Sequence, residues 1–217
     1  MEEKQDYIQF ESKDEITIWM RRVFANKKIW KQSYPTLVNI LSLDDKKVVA
    51  KSLFIIGEIG LKYPDIIDNR AFEKILTLMK SEDAQLRERA VHAFGRIGKG
   101  NDEKVKPYIE NLLLLGEDKD ENVRMNVIWA SENIAVNNEK LFENYMSVFA
   151  KLLDDNSAKV RMEAPEIFRL IGKKNSKYIY PYEDKLEKLS REDKNTVVRI
   201  HAREALKTLS QYKVKNQ

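Results

Sequence analysis

One phrase recurs five times along this 217-residue chain: a helix-capping residue, an aliphatic residue three positions later, then apolar positions at helical spacing. The aliphatic anchors are Val48, Leu86, Val123, Val160 and Val198, separated by 38, 37, 37 and 38 residues. A fixed period of this size marks stacked supersecondary units, each too small to bury its apolar face alone and completed by its neighbours. Three residues ahead of the anchors stand Asp45, Asp83, Asp120, Ser157 and Asn195. All five are side chains that accept from the free N–H groups of a first helical turn. Counting from the anchor, offsets 0, 4, 7, 8 and 11 bring Leu86, Ala90, Ala93, Phe94 and Ile97 onto one helical face. The same offsets give Val160, Ala164, Ile167, Phe168 and Ile171 two units later.

Each unit reads as a helix pair. Gly60, Gly98 and Gly172 are expected to end the first helix, and Asn137-Asn138 to serve that turn in the third unit. A returning helix then carries stripes such as Phe72, Ile75, Leu76 and Met79, or Leu141, Phe142, Phe149, Leu152 and Leu153. Pro165, about two turns into a first helix, is expected to bend its axis. The expected organisation is one body. Helix pairs occupy 44–80, 81–117, 118–154 and 155–192, after a degenerate capping unit at 1–43 and before a capping helix and tail at 193–217.

The segments LRERAVHAFGRIG (86–98) and VRMEAPEIFRLIG (160–172), with an arginine after the anchor at Arg87, Arg124, Arg161 and Arg199, carry a resemblance. The chain resembles HEAT-repeat proteins, in particular the short prokaryotic type with PBS-lyase-like repeats, over roughly residues 44–211. The first unit departs, with Val49 in the arginine position. The resemblance implies an all-α fold, a right-handed α-solenoid of about five helix-pair repeats with capping helices. It also implies that the recurrent arginines and capping aspartates are structural, and that the second helices line the concave side.

Composition supports a well-solvated helical protein: 42% hydrophobic and 34% charged residues with only 7 Gly and 5 Pro. The absence of cysteine removes disulfides, thiolate metal sites and cysteine nucleophiles, and suits a reducing cytoplasm. The N-terminal residues show no basic stretch followed by an apolar one, and the longest pure aliphatic run is Leu112 to Leu115, so neither a signal sequence nor a membrane segment is expected. Chemistry is equally sparse. His92 and His201 stand in different repeats without a carboxylate and hydroxyl at suggestive spacing, GKGND (98–102) follows a helix and not a strand, and EDKDEN (117–122) lacks the glycine and terminal glutamate of a calcium loop. No catalytic residue, metal or cofactor is expected, and nothing supports an activity like that of the bilin lyases, whose names are attached to such repeats.

Three surfaces remain as binding candidates. Offsets 2 and 6 point away from the first-helix core, yet hold Phe54, His92, Met125, Trp129 and Met162, an apolar band on what is expected to be the outer face. Trp and Met are enriched in interface cores, so a protein partner is one reading; superhelical cover of this face is the other. Offset 22 gives Arg70, Tyr108, Tyr145 and Tyr182 on the returning helices, either peptide contacts in an inner groove or spacers between repeats. The third surface is a basic end. Residues 173–217 carry 12 basic against 6 acidic groups, including Lys173, Lys174, Lys177 and Lys185, whereas residues 44–172 carry 20 against 23. A non-enzymatic scaffold for a protein or peptide is the leading expectation. Nucleic-acid binding through the basic end is the alternative, disfavoured by the near-neutral middle and by the lack of a Lys/Arg column on the second helices.

Overall fold

In the computed structural model, which describes residues 8–213, every regular element is helical. The five anchors head five long helices: α3 (Lys46–Lys62), α5 (Ala84–Gly100), α8 (Glu121–Ala135), α10 (Ala158–Lys174) and α12 (Thr196–Lys213). Ahead of them lie α1 (Lys13–Ala25) and α2 (Trp30–Ile40). The returning arms hold α4 (Asn69–Leu78), α6 (Asp102–Val105) with α7 (Ile109–Leu114), α9 (Met146–Leu152) and α11 (Glu183–Glu192).

The capping pattern translates directly. Asp45, Asp83 and Asp120 each accept from two backbone N–H groups of the first turn, and Asn195 does the same for Val197 and Val198. Ser157 holds the cap position but donates instead to Glu121 Oε2 at 2.5 Å, tying its helix to the repeat before. The returning arms are less regular than single helices. Pro64, Pro107 and Pro181 sit in short 3-10 turns, where a residue without an N–H cannot continue an α-helical ladder. α10, by contrast, runs unbroken through the buried Pro165.

The glycines do not end their helices. α3, α5 and α10 each run two residues past Gly60, Gly98 and Gly172, and no described glycine has positive φ. Their role is interhelical. A Cβ on Gly98 would fall 2.5 Å from Ile134 Cγ1, one on Gly95 2.6 Å from the Ala130 Cα, and one on Gly57 3.0 Å from the Ala93 Cα. These residues let the anchor helices of successive units nestle backbone against backbone. This close approach joins α3 to α5 and α5 to α8, and the array continues with α8 packed on α10 and α10 on α12. Asn137 does serve the turn after α8, and it also reaches back, its amide donating to the carbonyls of Gly98 and Lys99 at the end of α5.

One continuous apolar cluster threads the array, from Met20, Trp30 and Leu37 through Phe94, Phe142 and Phe168 to Leu209. Between neighbouring units the anchor arginines add a second fastening. Arg87 forks onto Asp118 at 2.7 and 2.8 Å, Arg124 onto Asp155 at 2.6 and 2.7 Å, and Arg161 onto Asp193 at 2.6 and 3.3 Å. Each also donates Nη1 to a carbonyl of its own preceding turn. The arginines are therefore spent on architecture, with planar bidentate geometry and little exposure.

Candidate functional site

The strongest concentration of unusual side chains lies on the anchor helices. Phe54 on α3, His92 on α5 and Trp129 on α8 occupy the same offset in three successive units, so the solenoid stacks them. The Phe54 and His92 rings stand 5.6 Å apart, and the His92 and Trp129 rings 4.5 Å apart and inclined by only 10°. Phe24 on α1, which precedes the first anchor and so escapes the periodic register, extends the row at 5.6 Å from Phe54. The result is four aromatic rings in line, half-buried except for Phe24, which is 47% exposed. Met125 and Met162, assigned to the same band, sit half-buried against the apolar core.

Burial, and then the neighbouring Arg89 and Arg96 charges, lower the His92 imidazole to about 4, so this ring is neutral near pH 7 and stacks as an uncharged aromatic. Its Nδ1 is buried without a hydrogen-bond partner. Beyond Trp129 the face turns acidic. Glu132 lies one helical turn on; burial, with Glu163 and Glu166 adding to it and Arg169 opposing, pushes its carboxyl up to about 8. Glu166 is held by Arg169, whose Nε donates at 2.7 Å, and its other oxygen lies 3.7 Å from His201 Nδ1. Position three after the anchor records the change of sign along the array: Lys51, Arg89, Asn126, Glu163, His201.

The offset-22 column occupies the returning arms, where Arg70, Tyr108 and Tyr145 reach the preceding unit and Tyr182 packs within its own. Tyr145 Oη donates to Glu110 at 2.9 Å, Tyr108 stacks on Phe72 at 5.2 Å, and Tyr182 meets the edge of Phe168 at 5.6 Å. Arg70 Nη1 donates to Asn39 Oδ1 at 3.4 Å. Other long side chains span the same gap, Tyr178 to Glu143 and Lys151 to Glu117, both at 2.6 Å. Of the basic end, Lys174 donates to the Ala135 and Val136 carbonyls at the end of α8 and Lys185 pairs with Asp154 at 2.6 Å, while Lys173 and Lys177 are exposed. The structure brings the aromatic row together as a surface. It does not gather the tyrosines and lysines into a second surface: Tyr108, Tyr145, Lys174 and Lys185 link repeats, Tyr182 packs within its own, and Lys173 and Lys177 are exposed.

Similarity to known proteins agrees with this architecture. An engineered protein shares 24% identity and a TM-score of 0.73, covering 95% of this chain and 97% of its own. A designed armadillo repeat protein shares 23% identity and a TM-score of 0.69, covering 93% and 96%. A second designed armadillo repeat protein, solved in complex with the peptide (KR)4, shares 24% identity and a TM-score of 0.68, covering 88% and 85%. At these identities the likeness is one of fold. No curated protein matches. A family described as "Sister chromatid cohesion protein PDS5 protein" matches residues 42–217, and with that span matched the chain belongs to this family of HEAT-like repeat proteins.

Proposed function

We propose that the chain is a non-enzymatic interaction scaffold that holds an extended peptide segment of a partner protein along the anchor-helix face, with Trp129 as its central contact. The observation that carries the reading is the stacked row Phe24, Phe54, His92 and Trp129: large, rigid, half-buried rings held in register by the backbone, which supply contact area at little cost in conformational entropy. The close glycine contacts between α3, α5 and α8, set against returning arms bridged by longer tyrosine, lysine and glutamate side chains, favour an array that closes toward the anchor side, which we take as the concave one. On this reading the inner and outer labels assigned from sequence are exchanged. Interhelix distance decides which face closes, and a single chain's periodicity does not contain it.

The designed armadillo protein that holds (KR)4 lends support, as an array of the same fold that takes up a peptide. Membership among the short prokaryotic repeat proteins belongs to the same proposal and rests on the 37–38-residue period and the VRMEAPEIFRLIG type of motif. Nucleic-acid binding is the weaker reading, since Lys174 and Lys185 are engaged within the chain, which leaves Lys173 and Lys177 of the basic end exposed, and the cations of the anchor-helix face give way to Asn126 and Glu163. The test is selection of binders to the intact chain from a displayed random-peptide library, followed by affinities for Trp129→Ala and Tyr145→Phe. Loss of about 10-fold or more for Trp129→Ala, with Tyr145→Phe unchanged, is expected of a central aromatic contact. Binders indifferent to Trp129 would overturn the reading.

A further inference from the structure

At the start of the aromatic row, between α1, α3 and α5, the surface sinks into an open pocket of about 550 Å³. Its floor is apolar: Met20, Phe24, Ala50, Phe54 and Ile55. Its rim carries four cations, Arg21, Lys47, Lys51 and Arg89, together with Thr17 and Gln85, and no carboxylate. Neighbouring cations on these three helices are paired: Lys13 on α1 with Asp45, Lys46 on α3 with Asp83 and Arg96 on α5 with Glu58. None of the four rim cations has a carboxylate partner among the described residues, and what sets them apart from other unpaired cations is that they converge on one apolar depression.

Four uncompensated like charges around one depression repel one another, and an anionic ligand relieves that repulsion while the aromatic floor accepts apolar surface. We propose that this pocket receives an acidic segment of a partner protein, with a large apolar side chain seated on Phe24 and Phe54 and flanking Asp or Glu residues on the rim. The proposal rests on the peptide-scaffold reading and names the chemistry of one end of the bound segment. The charge pattern favours a peptide over a polynucleotide. A phosphate backbone continuing along the groove would pass from Lys51 and Arg89 to Asn126 and Glu163 at the same position of the next units, where the cations stop and the Glu163 charge opposes it; a peptide changes composition along its length.

The test takes the peptides selected on the intact chain and measures their affinities for it, for Lys51→Glu/Arg89→Glu and for the milder Lys47→Gln/Lys51→Gln, with folding checked by circular dichroism, and with a single-stranded oligonucleotide as competitor. The expected result is enrichment of Asp or Glu beside Phe, Leu or Trp, with affinity falling about 10-fold or more on charge reversal, less on neutralisation, and weakening with salt. Peptides that depend on Trp129 but are neutral or basic, and are indifferent to both rim variants, would overturn the pocket proposal and leave the groove reading standing. Binders that ignore Trp129 and the rim alike would overturn both. Competition by the oligonucleotide at comparable concentration would replace the acidic peptide with a phosphate ligand.

Discussion

At the scale of single residues, much of the molecule turns on groups whose neighbours come from the next repeat. Gly95 is the sharpest case, because the atom a side chain would meet is the backbone of Ala130, which cannot swing aside as a side chain can. Gly95→Ala is expected to force α5 and α8 apart and to destabilise the fold by about 1–3 kcal/mol, despite the higher helix propensity of alanine. Thermal unfolding of the variant checks this. Glu132 makes the opposite prediction. Its carboxyl is raised to about 8 in the folded chain against an ordinary value of 4.5, so the folded state binds more protons than the unfolded one between those limits and stability falls as pH rises through them. Glu132→Gln is therefore expected to gain about 1–3 kcal/mol at neutral pH and to flatten that decline. His92 acts at the acid side. Lowered to about 4, it stays neutral while an unfolded histidine protonates near 6.5, so its contribution is full above that pH and is lost as pH falls from there to 4. A urea denaturation series across pH for His92→Phe, which should lack this acid-side loss, separates the two residues.

At the scale of elements, the ladder of arginine to aspartate joins repeats that the apolar core already joins. Arg124 and Asp155 are 10% and 7% exposed as side chains, so removing one partner strands a buried charge. Arg124→Met is expected to cost about 3–5 kcal/mol, and the double variant with Asp155→Leu to recover part of it. Denaturant unfolding of the three variants gives the coupling directly. The ladder also shows what the sequence made legible. Anchors, caps and arginines were readable because each depends on local phase. The acceptors Asp118, Asp155 and Asp193 recur at 37 and 38 residues, five before an anchor, but Ser81 and Leu43 hold that position in the first two units and hide the pattern. The glycines were misread as helix ends because a chain records where a residue lacks a side chain and not what stands opposite. Phe24 was missed since it belongs to no repeat, and Trp129 was found because it broke one.

At the scale of the whole molecule, stability is spread over interfaces between neighbours, so excision of one internal unit, such as residues 118–154, is expected to weaken the entire array and to remove the Trp129 position together with the Arg124 link. The same spacing that distributes stability gives the array two unlike faces. One carries stacked aromatic rings that pass from cationic to anionic surroundings; the other carries side chains engaged in holding repeats together. The central claim, that the first of these faces binds a peptide, is tested most directly by mapping backbone amide perturbations by NMR as a library-selected peptide is titrated onto the intact chain. The account predicts a footprint along α3, α5 and α8, centred on Phe54, His92 and Trp129. A footprint on the returning arms around Tyr108, Tyr145 and Tyr182, or on the lysines of the C-terminal end, would contradict it.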